Sequence, residues 1–386
     1  MRYPVLFTLF LSLPCAAAPA PAHIGFFAPD GVPAAIVGKT AFAMVNARSP
    51  EQIADSLRLA EDGRLTVNID FGPVLTDIKP AAGLATVYRD ANDQPVPKRL
   101  PALGDNKIRV LPADAELERR LAPYLPALRE HAARVGALFL VDEPYLNGVS
   151  RDELERAARA VRALLDRNSL PRVRLGVIFA SAMFHLPFAD MSERAAGRYV
   201  AAIDAYHADT SPKSAAQQAE FEAWQRHIAT ARLTTYDSAG NMTVSGGIPA
   251  GYDVVGYDFY LSTLLLDALH EDTLAWFAQR FPDVCGRFRG SGMKALRSRL
   301  TFFRDGPVAQ RGQAFDRALL DAMYTCRMEA STRLLEREIA QVKGSKPQIL
   351  LIGESSNNGL FEFDARGNLE PGQPNQLVEA RVYDEV

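Results

Sequence analysis

Ala137-Leu138-Phe139-Leu140-Val141-Asp142-Glu143-Pro144 is the stretch that decides the fold. Five apolar residues in unbroken succession, cut off by two carboxylates, describe a parallel strand covered on both faces whose carboxyl end opens into a site. Ile349-Leu350-Leu351-Ile352-Gly353 repeats the pattern and ends in Glu354. Two strand ends tipped with acids point to an enzyme that works with a pair of carboxylates.

Outward from these runs, strand-like and helix-like segments alternate along most of the chain. Ile24 to Phe27 and Ala41 to Val45 are short apolar runs, either of which can supply the first strand. Ser49-Pro50-Glu51 reads as N-cap, first-turn proline and acidic first turn of a helix reaching about Ala60. Leu65 to Phe71 is the next strand, Lys107 to Leu111 a weaker one, and Asp114 to Val135 an amphipathic helix. Ser150, with Glu153 three places on, is a capping-box pattern for a helix ending near Arg167. Val173 to Ala180, Asp253 to Tyr260 and Gln348 to Gly353 follow as strands, with Leu360 to Phe363 as an eighth. This order calls for parallel pairing through right-handed crossovers. The expected fold is α/β, a closed (β/α)8 barrel over residues 23–365, with helical insertions after the fifth and sixth strands and a polar tail over 366–386.

Residues 1–22 carry Arg2, an apolar stretch from Val5 to Leu13 and a small-residue end, Ala20-Pro21-Ala22, the anatomy of a cleavable export signal. Export to the periplasm or the cell exterior is therefore expected. Loss of that segment takes the formal net charge from −3 to −4. A mildly acidic chain without a basic block gives no reason to expect nucleic acid or a membrane as partner. Cys285 and Cys326 are left as an even pair, able to form a disulfide or to stay as buried thiols. The histidines lack paired ligand spacing, so neither a metal nor a cofactor is expected.

Glycoside hydrolysis needs one carboxylic acid to protonate the leaving oxygen and a second carboxylate as nucleophile or base. A parallel barrel meets that need, because acids at the ends of different strands converge on one mouth. The motifs here resemble those of retaining glycoside hydrolases of the (β/α)8-barrel clan, in which the acid/base Glu ends strand four and the nucleophile Glu ends strand seven. Asp142-Glu143-Pro144 is similar to the first motif, Leu351-Ile352-Gly353-Glu354 to the second, and Asp253 to Tyr260 to the clan's sixth strand. The resemblance implies a carbohydrate substrate, with Glu143 as acid/base and Glu354 as nucleophile. Asp142 stands where the clan has Asn and adds negative charge beside Glu143, which favours a protonated acid there. Asp70, Asp142, Tyr145, Asn147, Asp258 and Tyr260 are the expected substrate contacts, Tyr145 as a stacking platform for a sugar face. Asp70 and Asp258, both near strand ends, can also replace one of the favoured pair or serve another bond. Trp276, inside a helix-like stretch, reads as core. A sugar-binding barrel without catalysis is the alternative reading.

Overall fold

The structure is a computed structural model. It describes residues 25–80, 87–89, 95–97, 107–145, 147, 149–188, 211–212, 214–215, 235–236, 242–243, 246–259, 269–305, 317–344, 346–353, 361–363 and 369–371. Seven strands form one all-parallel sheet in chain order: β1 (Gly25–Phe27), β2 (Phe42–Asn46), β3 (Thr66–Asp70), β4 (Val135–Asp142), β5 (Arg174–Ala180), β6 (Val254–Phe259) and β7 (Gln348–Gly353). The sheet curls into a half-barrel, and two apolar layers show which way. Met44, Ala137, Phe139, Ile178 and Val254 cluster on the inner side, joined by Leu350 and Ile352. Ala43, Val45, Val67, Ile69, Leu138, Val177 and Tyr257 belong to the larger outer core, under the helices. Gly176 has no side chain because the Phe139 ring fills its place: a Cβ there would lie 2.4 Å from that ring.

Among the described residues the sheet is open, with β1 and β7 at its edges. Two expected barrel strands lie elsewhere. Lys107–Val110 pairs antiparallel with Asp77–Pro80, and Phe361–Phe363 pairs antiparallel with Leu369–Pro371, inside the segment expected to be an unstructured tail. Both alternate polar and apolar residues, the pattern of a one-sided hairpin and not of a strand covered on both faces. The runs at Gly25 and Phe42 instead both enter the sheet. The acidic tip at Asp142 therefore still ends the fourth strand and Gly353 still ends the seventh.

Local rules account for the helices. In α1 (Pro50–Gly63) the Ser49 hydroxyl accepts from the Gln52 amide, and Arg64 closes the helix in the left-handed conformation. The expected single helix from Asp114 to Val135 is broken into α2 (Asp114–Leu121) and three shorter pieces ending at Arg134. Pro123 and Pro126 each remove an amide donor inside that stretch. In α3 (Arg151–Arg167) both halves of the capping box form, and Leu154, Ala157, Ala158, Val161, Leu164 and Leu165 make its buried stripe. The segment expected to direct export, most of the residues from 189 to 245 and the stretch 261–268 lie outside the described residues.

Two further helices, α4 (Leu269–Arg280) and α5 (Arg317–Gln341), cover the far end of the sheet. Cys285, just past α4, is disulfide-bonded to Cys326 of α5 across 41 residues of chain, with a Cα–Cα distance of 4.9 Å. Loop-closure entropy for a bridge of that span corresponds to about 4 kcal/mol, and measured bridges commonly deliver about 2–4 kcal/mol. The double variant Cys285→Ser, Cys326→Ser is expected to lose that much in urea denaturation. An unchanged midpoint would show that packing of α5 alone sets its position.

Candidate active site

Register determines which side chains face the interior. Asn46 stands opposite Asp70, and Asp70 opposite Phe139 of the inner cluster, so Asp70 faces inward at the carboxyl end of β3. In β4 the alternation is broken twice, first between Val135 and Leu138, which stand opposite Val67 and Ile69 of β3, and again at the carboxyl end. Phe139 stands opposite Gly176 but Asp142 opposite Ile178, so three steps on β4 match two on β5. This is a bulge: Leu140 and Val141 both join the outer core, and Asp142 takes the inward place that an unbroken strand would give to Val141. On β6, Asp258 stands between Ala180 and the inner residue Ile352. Three aspartates thus turn toward the interior at one rim, all at carboxyl ends of parallel strands.

Asp70 is 6% exposed, and its Oδ1 accepts from the Gly72 amide at 2.8 Å. Arg109, which the sequence reading did not single out, reaches the same place from the Lys107–Val110 hairpin. Its amide donates to the Asn147 carbonyl at 2.8 Å and its guanidinium to Thr76 Oγ1 at 3.4 Å. Gly72 is the meeting point. A Cβ on it would lie 3.0 Å from Asp70 Oδ1, 3.4 Å from the Asp142 amide nitrogen and 3.6 Å from Arg109 Nη1.

Burial pushes the Asp70 carboxyl up to about 7 and the nearby Asp142 charge adds to this, while the Gly72 amide and the Arg109 guanidinium pull the other way. Asp142 is also raised by burial, against the opposing pull of Arg109. Asp70 therefore keeps a proton at pH values where ordinary carboxylates have lost theirs. The native state holds that proton more tightly than the unfolded chain does. Its stabilising contribution is full below about pH 4 and is lost as pH rises through about 7; each tenfold difference in proton affinity between the two states is worth about 1.4 kcal/mol. The urea midpoint is expected to fall over that interval in the wild type and to fall less in Asp70→Asn. Equal slopes would assign the titration to another group.

Glu143 follows the bulge with φ 44°, a left-handed backbone that costs a non-glycine residue roughly 1–3 kcal/mol. Its amide donates to the Ile178 carbonyl at 3.1 Å, and its side chain is half-buried at the rim. The Asn147 amide group donates to the carbonyls of Asp142 at 3.1 Å and Glu143 at 3.0 Å. Asn147 therefore holds the turn through its amide nitrogen. Tyr145 departs from the sequence expectation: it is 5% exposed, its hydroxyl donates to the Gly247 carbonyl at 2.7 Å, and its ring centre lies 4.8 Å from that of Phe179. A ring so enclosed has no face for a sugar. Trp276 packs against Phe188 and Phe277, as expected of a core residue. Glu354 and Tyr260 lie outside the described residues.

Ser181, the first residue beyond β5, is a second left-handed position at φ 47°, and its amide donates to the Asp258 carbonyl at 2.7 Å. Its hydroxyl accepts from Arg327 of α5, next to the disulfide. Arg327 is fully buried, with its guanidinium 4.8 Å from the ring centre of Phe259, 5.3 Å from Phe277 and 5.8 Å from Phe188. The sequence carried a signal for it. Leu320, Met323, Ala330 and Leu334 mark the buried stripe of α5, and Arg327 falls in the middle of that stripe. Among the described residues no group of three or more His, Cys, Asp or Glu side chains is placed to hold a metal ion, and no helix is long and apolar enough to cross a membrane.

No family model matches this sequence, and neither does any curated protein. Among solved structures, a fungal β-1,4-galactanase is similar at 11% identity over 89% of this chain and 88% of its own, with a TM-score of 0.31. An exo-β-1,4-mannosidase from Opitutaceae bacterium strain TAV5 is similar at 11% identity over 94% of this chain and 60% of its own, with a TM-score of 0.33. At such scores neither match assigns a function, and the chemistry has to come from the strand ends.

Proposed function

We propose that this chain is an exported glycoside hydrolase acting on an oligo- or polysaccharide by a retaining mechanism. The observation that carries the reading is the turn of Asp142 into the interior by the β4 bulge, beside Asp70 and Arg109 and one residue before Glu143. Such a rim gathers several carboxyl groups, and burial there favours the protonated form of Asp70 and Asp142, the kind of setting in which glycosidic cleavage keeps one acid protonated. In this reading Glu143 protonates the leaving oxygen and later activates water, and Glu354 attacks the anomeric carbon. Glu354 comes directly after Gly353, the last residue of β7, in the sequence. Asp70 and Asp142 accept from sugar hydroxyls while Arg109 balances their charge, and Asp258 and Tyr260 serve as further substrate contacts.

Product release from a panel of α- and β-linked glycans tests the proposal, with wild type beside Glu143→Gln and Glu354→Gln. Turnover of at least one glycan by the wild type, lost in both variants with binding retained, is the expected result. Equal activity in all three would remove both residues from the mechanism. Proton NMR of the first-formed anomer tests retention separately.

A further inference from the structure

The opposite rim carries a second feature that the cleft chemistry leaves unused. A cavity of about 800 Å³ opens there, between α3, the start of β5, the loop before β6 and the segment leading into β7. That volume lies within the range of roughly 300–1,000 Å³ typical of small-ligand sites. Its walls carry Arg159, Arg162, Arg172, Arg174, Lys343 and Lys346 against only two carboxylates, Asp166 and Asp253, in a chain whose overall charge is negative.

Three of these cations have structural work. Arg162 pairs with Asp253 at 2.5 Å and donates to the Val173 carbonyl at 2.6 Å. Arg174 donates to the Gly136 carbonyl at 3.1 Å. Lys346 donates to the carbonyls of Ile339, Ala340 and Val342 at the end of α5, where a cation also suits the helix dipole. Arg159, Arg172 and Lys343 are exposed; Arg159 lies close enough to Glu155 to help lower that carboxyl, and none of the three makes an ion pair of 4 Å or less among the described residues. They stand on three different walls: the helix, the strand start and the segment before β7. Donors spread around a cavity suit an anion with several separated charges better than one compact ion.

We infer that this cavity binds an anionic oligosaccharide, a short chain bearing carboxylates on successive sugars, through Arg159, Arg172 and Lys343. The cavity and its charge fix the oligoanion; the choice of a sugar chain rests on the function proposed above. The site lies at the amino ends of β5 and β7, away from the acidic rim, so it holds a chain without cleaving it.

Calorimetric titration with trigalacturonate tests this, with maltotriose and tripolyphosphate as the other two probes. Wild type is expected to bind trigalacturonate with an affinity that weakens as salt is raised, and to bind maltotriose far less at this rim. The triple variant Arg159→Gln, Arg172→Gln, Lys343→Gln changes only exposed side chains and is expected to keep its thermal midpoint while binding trigalacturonate about tenfold more weakly. Undiminished binding in that variant, or no binding by the wild type, overturns the inference. Binding of tripolyphosphate without trigalacturonate overturns the sugar assignment. Because binding is read without turnover, and hydrolysis is scored separately with Glu143→Gln, failure of this site and failure of the hydrolase reading are distinct results.

Discussion

Glu143→Gln is expected to lower kcat by about 10²–10⁴-fold, the usual contribution of a positioned general acid, with little change in KM. The amide keeps the shape of the acid but has no proton to give to a leaving oxygen. The left-handed turn that carries it is tied on both sides, by the Glu143 amide to Ile178 and by the Asn147 side chain to the carbonyls of Asp142 and Glu143, so the exchange should leave the rim in place. Asp142→Asn gives a sharper contrast. Removing that charge takes away one of the influences that raise Asp70, so the fall of the urea midpoint with pH should set in at lower pH while turnover persists. Steady-state kinetics on a leaving group that needs no protonation would complete the test. Such a substrate should restore the first step in Glu143→Gln, and failure to do so would assign Glu143 to structure and leave Asp70 or Asp142 as the acid.

Arg327→Ala is expected to destabilise the fold by about 3–5 kcal/mol, because it breaks a buried, hydrogen-bonded arrangement and opens a cavity among three phenylalanines. Arg327→Met keeps most of the volume and removes the charge. Replacing a buried charged group with a fitting apolar one is often neutral for stability or better. If Arg327 serves to hold Ser181 and through it the ends of β5 and β6, the methionine variant should fold normally and still lose activity. Urea denaturation and kinetics on the same preparations separate the two roles. A methionine variant of full stability and full activity would show the guanidinium to be dispensable at the rim.

Much of the scaffold was legible because buried parallel strands announce themselves as apolar runs. Ala137 to Val141 and Ile349 to Gly353 were found that way, as were the caps at Ser49 and Ser150. Lys107 to Leu111 is a strand, but its alternation places it outside the parallel sheet. Lys107-Ile108-Arg109-Val110 is polar and apolar by turns, and that period marks the hairpin that delivers Arg109. The inward turn of Asp142 had no such signal. A bulge depends on the register of two neighbouring strands, and β5 is more than thirty residues away in the chain. Tyr145 was misassigned for a related reason: its nearness to an acidic tip in sequence says nothing about the Gly247 carbonyl, supplied by a distant loop, that holds its hydroxyl.

The extra residue near the end of β4 also makes local register a selector of chemistry. Straightening the strand at its present length would turn Val141 inward and Asp142 outward, and the next acid along the chain would be offered to the cleft; deleting Leu140 or Val141 would instead restore simple alternation and leave Asp142 where it is. Whether the rim presents a short carboxylate or a long one therefore depends on that bulge and on neither side chain.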